Sequence, residues 1–388
     1  MGWNRIVFIF ATVFFSVFTF PAFAEVITLG AGKDAFLQIG YRLQILTQIS
    51  QDQAGTAGGD PTIAGDNYDL YLRRSRLTLG GQVSPLVDFY VQLDDDNRGK
   101  NFSSSTGIKT RDAWIQMNSG AGWKMMAGIF PAQFSRSRLS SPFSFVALER
   151  PMIDEMMLDS TELDGKRNRG LLVWGNLGGF QYRIAGGKGA KPQASELGKE
   201  SIRYNGRVQI AFMDNEEDFI YKETYLGEKS LFTVGFGIDR QDKASTDILG
   251  RVADYSAWTA DLAMEGKGES GMMSLNAAYY FYDWGNTEKR NAAGYYAQGS
   301  GWQATTSFVS LDKSSGAIQP YVRYATWNAA SAAPASSQRR ISLGINYLLR
   351  GNDAKVVLEM EQVTYPAEGA AYDKKDHRVY SMQWQIAF

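Results

Sequence analysis

The sequence predicts an all-β fold: a transmembrane antiparallel β-barrel of about sixteen strands, with a long third loop folded into the lumen. Three observations predict it. Short segments with one apolar and one polar face recur along the chain. No run beyond the first two dozen residues approaches the length of a spanning helix, and mean hydropathy is -0.28. One connection, residues 131–167, interrupts the strand pattern for far longer than a compact β domain usually allows. Side chains alternate across a strand, so a two-faced strand needs an apolar partner on one side and water on the other. A soluble sandwich offers a second sheet as that partner, whereas an outer-membrane barrel offers lipid outside and a wet lumen inside. One strand fits either case; recurrence over nearly the whole chain favours the barrel.

Met1 to Ala24 reads as a leader. Arg5 supplies the positive start, Ile6 to Phe20 the apolar run, and Ala22-Phe23-Ala24 the small-x-small cleavage spacing. The expected mature chain is 25–388, outside the cytoplasm. Without Arg5 it carries 39 Lys and Arg against 41 Asp and Glu, a balance that gives no sign of a nucleic-acid binder. There is no cysteine, hence neither a disulfide nor a thiolate metal site. Forty glycines, ten prolines and 13% aromatics suit many strands joined by tight turns.

The first strand places Leu37, Ile39, Tyr41, Leu43 and Ile45 on one face, with Gln38, Arg42 and Gln44 on the other. After a Gly- and Asp-rich loop, the second reads NYDLYLRRSRLTLGG. The third puts Phe89, Val91 and Leu93 opposite Tyr90, Gln92, Asp94 and Asp96, and the fourth sets Ala113, Ile115 and Met117 against Asp112 and Gln116. The fifth, Trp123 to Phe130, delivers the long loop. A hairpin turning at Gly178-Gly179 follows, with Gln181 and Arg183 inward. The next strand alternates Ile202, Tyr204, Val208 and Ile210 with Arg203, Asn205, Arg207 and Gln209. The pattern repeats near 230–241, 255–265, 270–284, 299–310, 317–328, 338–349 and 354–365. The chain closes on VYSMQWQIAF, whose aromatic-rich face resembles the final strands read by barrel-assembly machinery.

Several stretches together, in order along nearly the whole mature chain, resemble the phosphate-selective porin O and P family. They are RRSRLTLGG with VDFYVQLDDD, RDAWIQM, GIFPAQFSRSRLSSPFSFVALERP, GRVQIAF, YLGEKSLFTVGFGIDRQ, IQPYVRY, ISLGINYLLRG and QWQIAF. The resemblance implies a sixteen-stranded homotrimeric barrel in the outer membrane of a Gram-negative bacterium. It also implies passive diffusion of small ions past arginines, with anions such as phosphate as the permeating solutes. The arginines matching the family's are Arg73, Arg74 and Arg76 in the second strand and Arg136, Arg138 and Arg150 in the loop; Asp94 matches a lumen acid. Against a continuous cationic ladder, the loop also contains Glu149, Asp154, Glu155, Asp159, Glu162 and Asp164.

Strand phasing adds Arg203 and Arg207, which share one inward face. The inward cations are Arg42, Arg74, Arg76, Arg183, Arg203, Arg207, Arg323, Arg340 and Lys355, and the inward acids Asp94, Asp96, Asp112, Asp239, Asp261, Glu359 and Glu361. An arginine fork holds an oxyanion well, so these residues either bind passing anions or balance lumen carboxylates. By alternation Arg73 points outward unless a bulge turns it. Asp94-Asp95-Asp96-Asn97 lacks the downstream Glu of a calcium loop and reads as a wet strand end. An enzyme is disfavoured, because His377 is the only candidate base and no G-x-S-x-G elbow occurs. A second alternative is a barrel scaffold or sheath for a partner such as a cytochrome; no C-x-x-C-H haem motif is present in the chain itself. No cofactor or metal is expected.

Overall fold

The computed structural model describes residues 26–27, 35–51, 66–100, 107–157, 166–189, 201–246, 252–285, 298–310, 316–330, 337–365 and 376–388. The expected leader and Asp159, Glu162 and Asp164 lie outside them. Sixteen strands form the wall: β1 Phe36–Ser50, β2 Asn67–Ser84, β3 Val87–Arg98, β4 Lys109–Asn118, β5 Trp123–Pro131, β6 Arg167–Leu177, β7 Phe180–Lys188 and β8 Ile202–Ala211; then β9 Leu231–Thr246, β10 Val252–Lys267, β11 Gly271–Asp283, β12 Gly299–Ser310, β13 Ala317–Ala329, β14 Gln338–Arg350, β15 Ala354–Thr364 and β16 His377–Ala387. Each pairs antiparallel with the next, and β16 pairs with β1, so the sheet closes and has no free edge. A two-residue stretch, Val26–Ile27, adds to β1.

Burial runs inside out. Ile39, Ile115, Ile210, Leu343 and Trp384 are exposed on the outer face, while Gln44, Asp112, Arg203, Gln209 and Gln385 are buried on the inner one. That is the pattern of a wall with hydrocarbon outside. Among the described residues no helix is long and apolar enough to cross a membrane.

Strands β6 and β7 join through Gly178-Gly179, with Gly178 at φ +59°, the left-handed conformation such a hairpin requires. Two of the bulges re-aim arginines. Gln44 faces Arg74 but Ile45 faces Leu72, which leaves Arg73 as the extra residue of β2. Gln92 faces Asp112 but Leu93 faces Thr110, which leaves Arg111 as the extra residue of β4. An extra residue re-aims its side chain. Both arginines turn inward, so the outward expectation for Arg73 is corrected.

Two connections fold into the lumen. The first, residues 132–166, is the expected third loop. Ser135 caps a single helical turn, α1 (Arg136–Leu139), by accepting from the Arg138 N–H. Short 3-10 turns follow at Pro142–Ser144 and Met152–Met156. Phe134, Ile153, Met156 and Met157 pack against Tyr255, Tyr280, Tyr282 and Trp327 of β10, β11 and β13. Val146, Ala147 and Leu148 pack against Leu46, Tyr71, Tyr321 and Val357. Each such buried side chain is worth about 1.5–3 kcal/mol, enough to hold a loop that lacks strand pairing.

The second inserted connection, residues 212–230, enters from the opposite end of the barrel, where the other fully described connections are tight turns. The sequence gives it no apolar alternation. Phe219 packs on Trp114 and Trp174, and Leu226 on the cluster of Met272, Val309, Ala317 and Leu348, so it straps across the mouth.

Candidate functional site: the lumen beside the third loop

A loop inside a barrel must satisfy its backbone polar groups there. The inward polar residues do this. Gln385 Nε2 donates to Phe143 O (2.8 Å), Lys355 Nζ to Phe145 O (2.6 Å) and Asn346 Nδ2 to Val146 O (2.8 Å). On the other flank Gln133 N–H donates to Asn205 Oδ1 (2.8 Å) and Arg136 N–H to Asp261 Oδ2 (3.1 Å). Lys355, expected as an inward cation, is thus an anchor for the loop.

The apolar side of the loop leans on β10, β11 and β13, and open space remains nearer β1–β5 and β14–β16. Two of the cavities there flank the loop. One, of about 390 Å³, faces the turn end and is lined by six cationic residues, Arg42, Arg76, Arg138, Arg150, Arg167 and Lys222, against Asp112 and Asp353. The other, of about 440 Å³, faces the long-loop end; it is lined by Arg73, Lys100, Arg150, Arg323 and Arg340 against Glu149, Glu359 and Glu361. Arg150 is common to both linings. Its Nε donates to Ser137 O (3.0 Å), its Nη2 to Ser140 O (2.7 Å), and its guanidinium lies 4.9 Å from the Phe145 ring centre. Carbonyls, a ring and, at 3.9 Å, the buried Asp154 carboxylate hold this fork in place between the two cavities.

Around Arg150 the wall is rich in paired charge. Arg73 and Arg74 both donate to Glu149, and Arg74 also to Gln44 Oε1 (2.6 Å). Arg76 meets Asp94 (3.0 Å) and Asp96 (3.5 Å), and Arg111 reaches the same two acids at 2.8 and 2.9 Å. Arg42 and Arg76 flank Phe143, with guanidinium carbons 5.6 and 5.9 Å from its ring centre. Arg167 forms a bidentate pair with Asp112.

Burial alone would raise the Glu149 carboxyl, but the charges of Arg73 and Arg74 hold it down at about 2. A carboxyl depressed in the folded state adds stability that is complete above its ordinary value and is lost only as pH falls toward 2. The contact therefore survives ordinary acidification.

The remaining candidates are also paired. Arg138 pairs with Asp154 (2.9 Å) and donates to its carbonyl (2.7 Å). Arg136 forms a bidentate pair with Glu216, a residue of the strap. Arg203 is bidentate on Asp239 (2.8 and 2.5 Å), and Arg207 on Asp261 (2.5 and 2.7 Å). These partners come from β9 and β10 and are among the acids that strand phasing places inward. Arg203 and Arg207 thus do not share one open anion site.

Replacing Arg203 with Ala strands Asp239, and losing one member of a buried pair costs about 3–5 kcal/mol. The expected result is earlier unfolding in denaturant and a shift of permeability toward cations. Arg203→Ala with Asp239→Asn should recover most of both. A double variant no better than the single one would mean that the pair is not the relevant unit.

Sequence reasoning missed Arg111 and Arg167, and it missed the strap carrying Glu216, Tyr221 and Glu223. The connection's length at a turn end was the available signal.

Comparison with known proteins fits this architecture. Solved structures with the same fold include an anion-selective porin from Comamonas acidovorans, at 13% identity and TM-score 0.61, covering 92% of this chain and 100% of that one. The outer-membrane channel DcaP of Acinetobacter baumannii has 12% identity and TM-score 0.55, covering 93% and 100%. A trimer form of OmpT from Vibrio cholerae has 10% identity and TM-score 0.54, covering 92% and 100%. No curated protein matches the sequence. The family model for phosphate-selective porin O and P matches residues 47–388. A closed sixteen-stranded outer-membrane barrel matched by that model over most of its length is a porin, and the chain belongs to the phosphate-selective porin O and P family.

Proposed function

We propose that this porin passes small ions by diffusion with a preference for anions, phosphate among them, and that the third loop, residues 131–167, forms the constriction. The observation that carries the reading is the cationic excess of the turn-end cavity, six cations against Asp112 and Asp353, with Arg150 common to the linings of both cavities. Arg42, Arg73, Arg74, Arg76, Arg136 and Arg138 add positive potential around it, and Asp94 tempers that potential. Arg203 and Arg207, each closed on an aspartate, act as parts of the wall.

The proposed assembly is a homotrimer, after cleavage of the leader at Ala24. A sheath for a folded partner would need a far wider lumen than cavities of about 390 and 440 Å³. Nothing in the lumen geometry favours an enzyme over a channel.

Reversal potentials in planar bilayers, with chloride and phosphate salts compared, test the proposal. Anion preference is expected at low salt and should weaken as the screening length shortens to about 10 Å at 0.1 M. Glu149→Gln releases Arg73 and Arg74 toward the cavity and should strengthen the preference. A cation-selective wild-type channel would overturn the reading.

A further inference from the structure

We propose that the strap, residues 212–230, positions the constriction loop, with Glu216 and Tyr221 as the positioning residues. The proposal rests on the channel reading above but concerns how the loop is held, not which ions it prefers.

The strap is built into the loop by backbone. Tyr221 N–H donates to Leu139 O (2.9 Å) and Ser141 N–H to Tyr221 O (3.0 Å), so one strap residue extends the loop as a short parallel bridge. Glu223 adds a reciprocal contact, its carboxylate accepting from the Val146 N–H (2.8 Å) and its N–H donating to Ser144 Oγ (3.0 Å).

Charge fixes the same joint. Glu216 takes both forks of Arg136 and also accepts from Tyr225 OH (2.9 Å) and Gln209 Nε2 (2.9 Å). The Tyr221 ring is wholly buried beneath three guanidinium groups, with Arg136, Arg183 and Arg207 at 5.0, 4.7 and 5.6 Å from its centre. Arg183 also donates to the strap carbonyls of Phe219 (2.7 Å) and Asp218 (3.1 Å).

The strap is in turn fixed to the wall. Tyr225 N–H and Gly227 N–H both donate to Glu265 (2.8 and 2.7 Å), and Asn276 Nδ2 donates to Glu223 O (2.9 Å). A displaced strap would therefore leave the loop without its paired backbone and leave buried arginines without their acceptors, at a cost that favours the seated arrangement.

A plug and a positioning element both narrow the lumen, and they differ in what happens to the loop when the strap goes. Asp214 N–H donates to Ser230 O (3.0 Å), so residues 215–229 can be excised and Asp214 joined to Ser230 by Asn-Gly as an ordinary hairpin. The chain has no cysteine, so Ala147→Cys reports on the loop alone; Ala147 is 1% exposed and packs on the far side of the lumen, against Leu46 and Tyr71.

The experiment measures labelling of that thiol by a polar thiosulfonate reagent in three heat-modifiable barrels: the full chain, Glu216→Gln and the excised variant. Labelling is expected to be at least roughly tenfold faster in the excised variant and to rise in Glu216→Gln, the change a loss of about 1.4 kcal/mol in loop seating produces. Bilayer recording of the same proteins separates the two readings. A full-chain barrel that carries no current sinks the channel reading. A conducting barrel whose labelling is unchanged by excision makes the strap a plug and overturns the positioning role. Should Glu216→Gln fail to fold, Arg136→Gln with Glu216→Gln removes the same joint without stranding a charge and is held to the same outcome.

Discussion

Excising residues 133–165 is expected to raise single-channel conductance at least roughly twofold while the barrel stays heat-modifiable, because current through a short wet pore follows its narrowest section. The ends are already adjacent, since Ala132 N–H donates to Lys166 O (3.2 Å), so a short Gly-Ser link can close the gap. Below it, β5 and β6 remain paired from Trp123 with Gly175 to Pro131 with Arg167. Gln385, Lys355 and Asn346 would lose the loop carbonyls they now serve, and water can replace those. Barrel stability should fall, because the apolar contacts of Phe134, Ile153 and Met156 disappear. The deciding measurement is a bilayer recording of the refolded variant. Unchanged conductance would show that the loop does not set the bore.

Deleting Phe388 is expected to cause the largest loss of folded barrel. Phe388 and Tyr41 exchange two backbone hydrogen bonds (2.9 and 3.0 Å), and their rings lie 6.0 Å apart. These contacts continue the β16–β1 pairing by one residue at the seam where the sheet closes. Two hydrogen bonds and an aromatic pair are together worth about 3 kcal/mol, on the order of a hundredfold in a folding equilibrium. A charged residue there should do worse, since it faces the bilayer side beside Tyr41, and Phe388→Tyr should be tolerated. The readout is the fraction of protein that shifts on a gel after heating. A deletion variant that folds as fully as the wild type would remove Phe388 from the closure of the barrel.

What could be read from the sequence is what strand periodicity controls. Alternation is local, with period two, so Leu43 beside Gln44, or Val208 beside Arg207, already states which side meets lipid and which meets water. The same rule placed Asp94, Asp112, Arg203, Arg207 and Asp239 inward, where the structure has them buried. Gly178-Gly179 marked its hairpin, and the gap in alternation marked the third loop between Pro131 and Arg167.

What a strand meets across the lumen is not written in its own period. Arg73 and Arg111 turn inward only because a neighbouring strand pairs around them, and a bulge is a property of two strands together. Whether Arg203 binds a passing anion or Asp239 depended on the register between β8 and β9, which sets Asp239 beside Asn205. The strap was the hardest element to foresee. Its residues are polar and aperiodic, as an exposed link would be. Glu216, Tyr221, Thr224 and Tyr225 among them are buried because the loop entering from the other end supplies backbone partners and an arginine that make burial favourable, and that complementarity exists only once the barrel has closed.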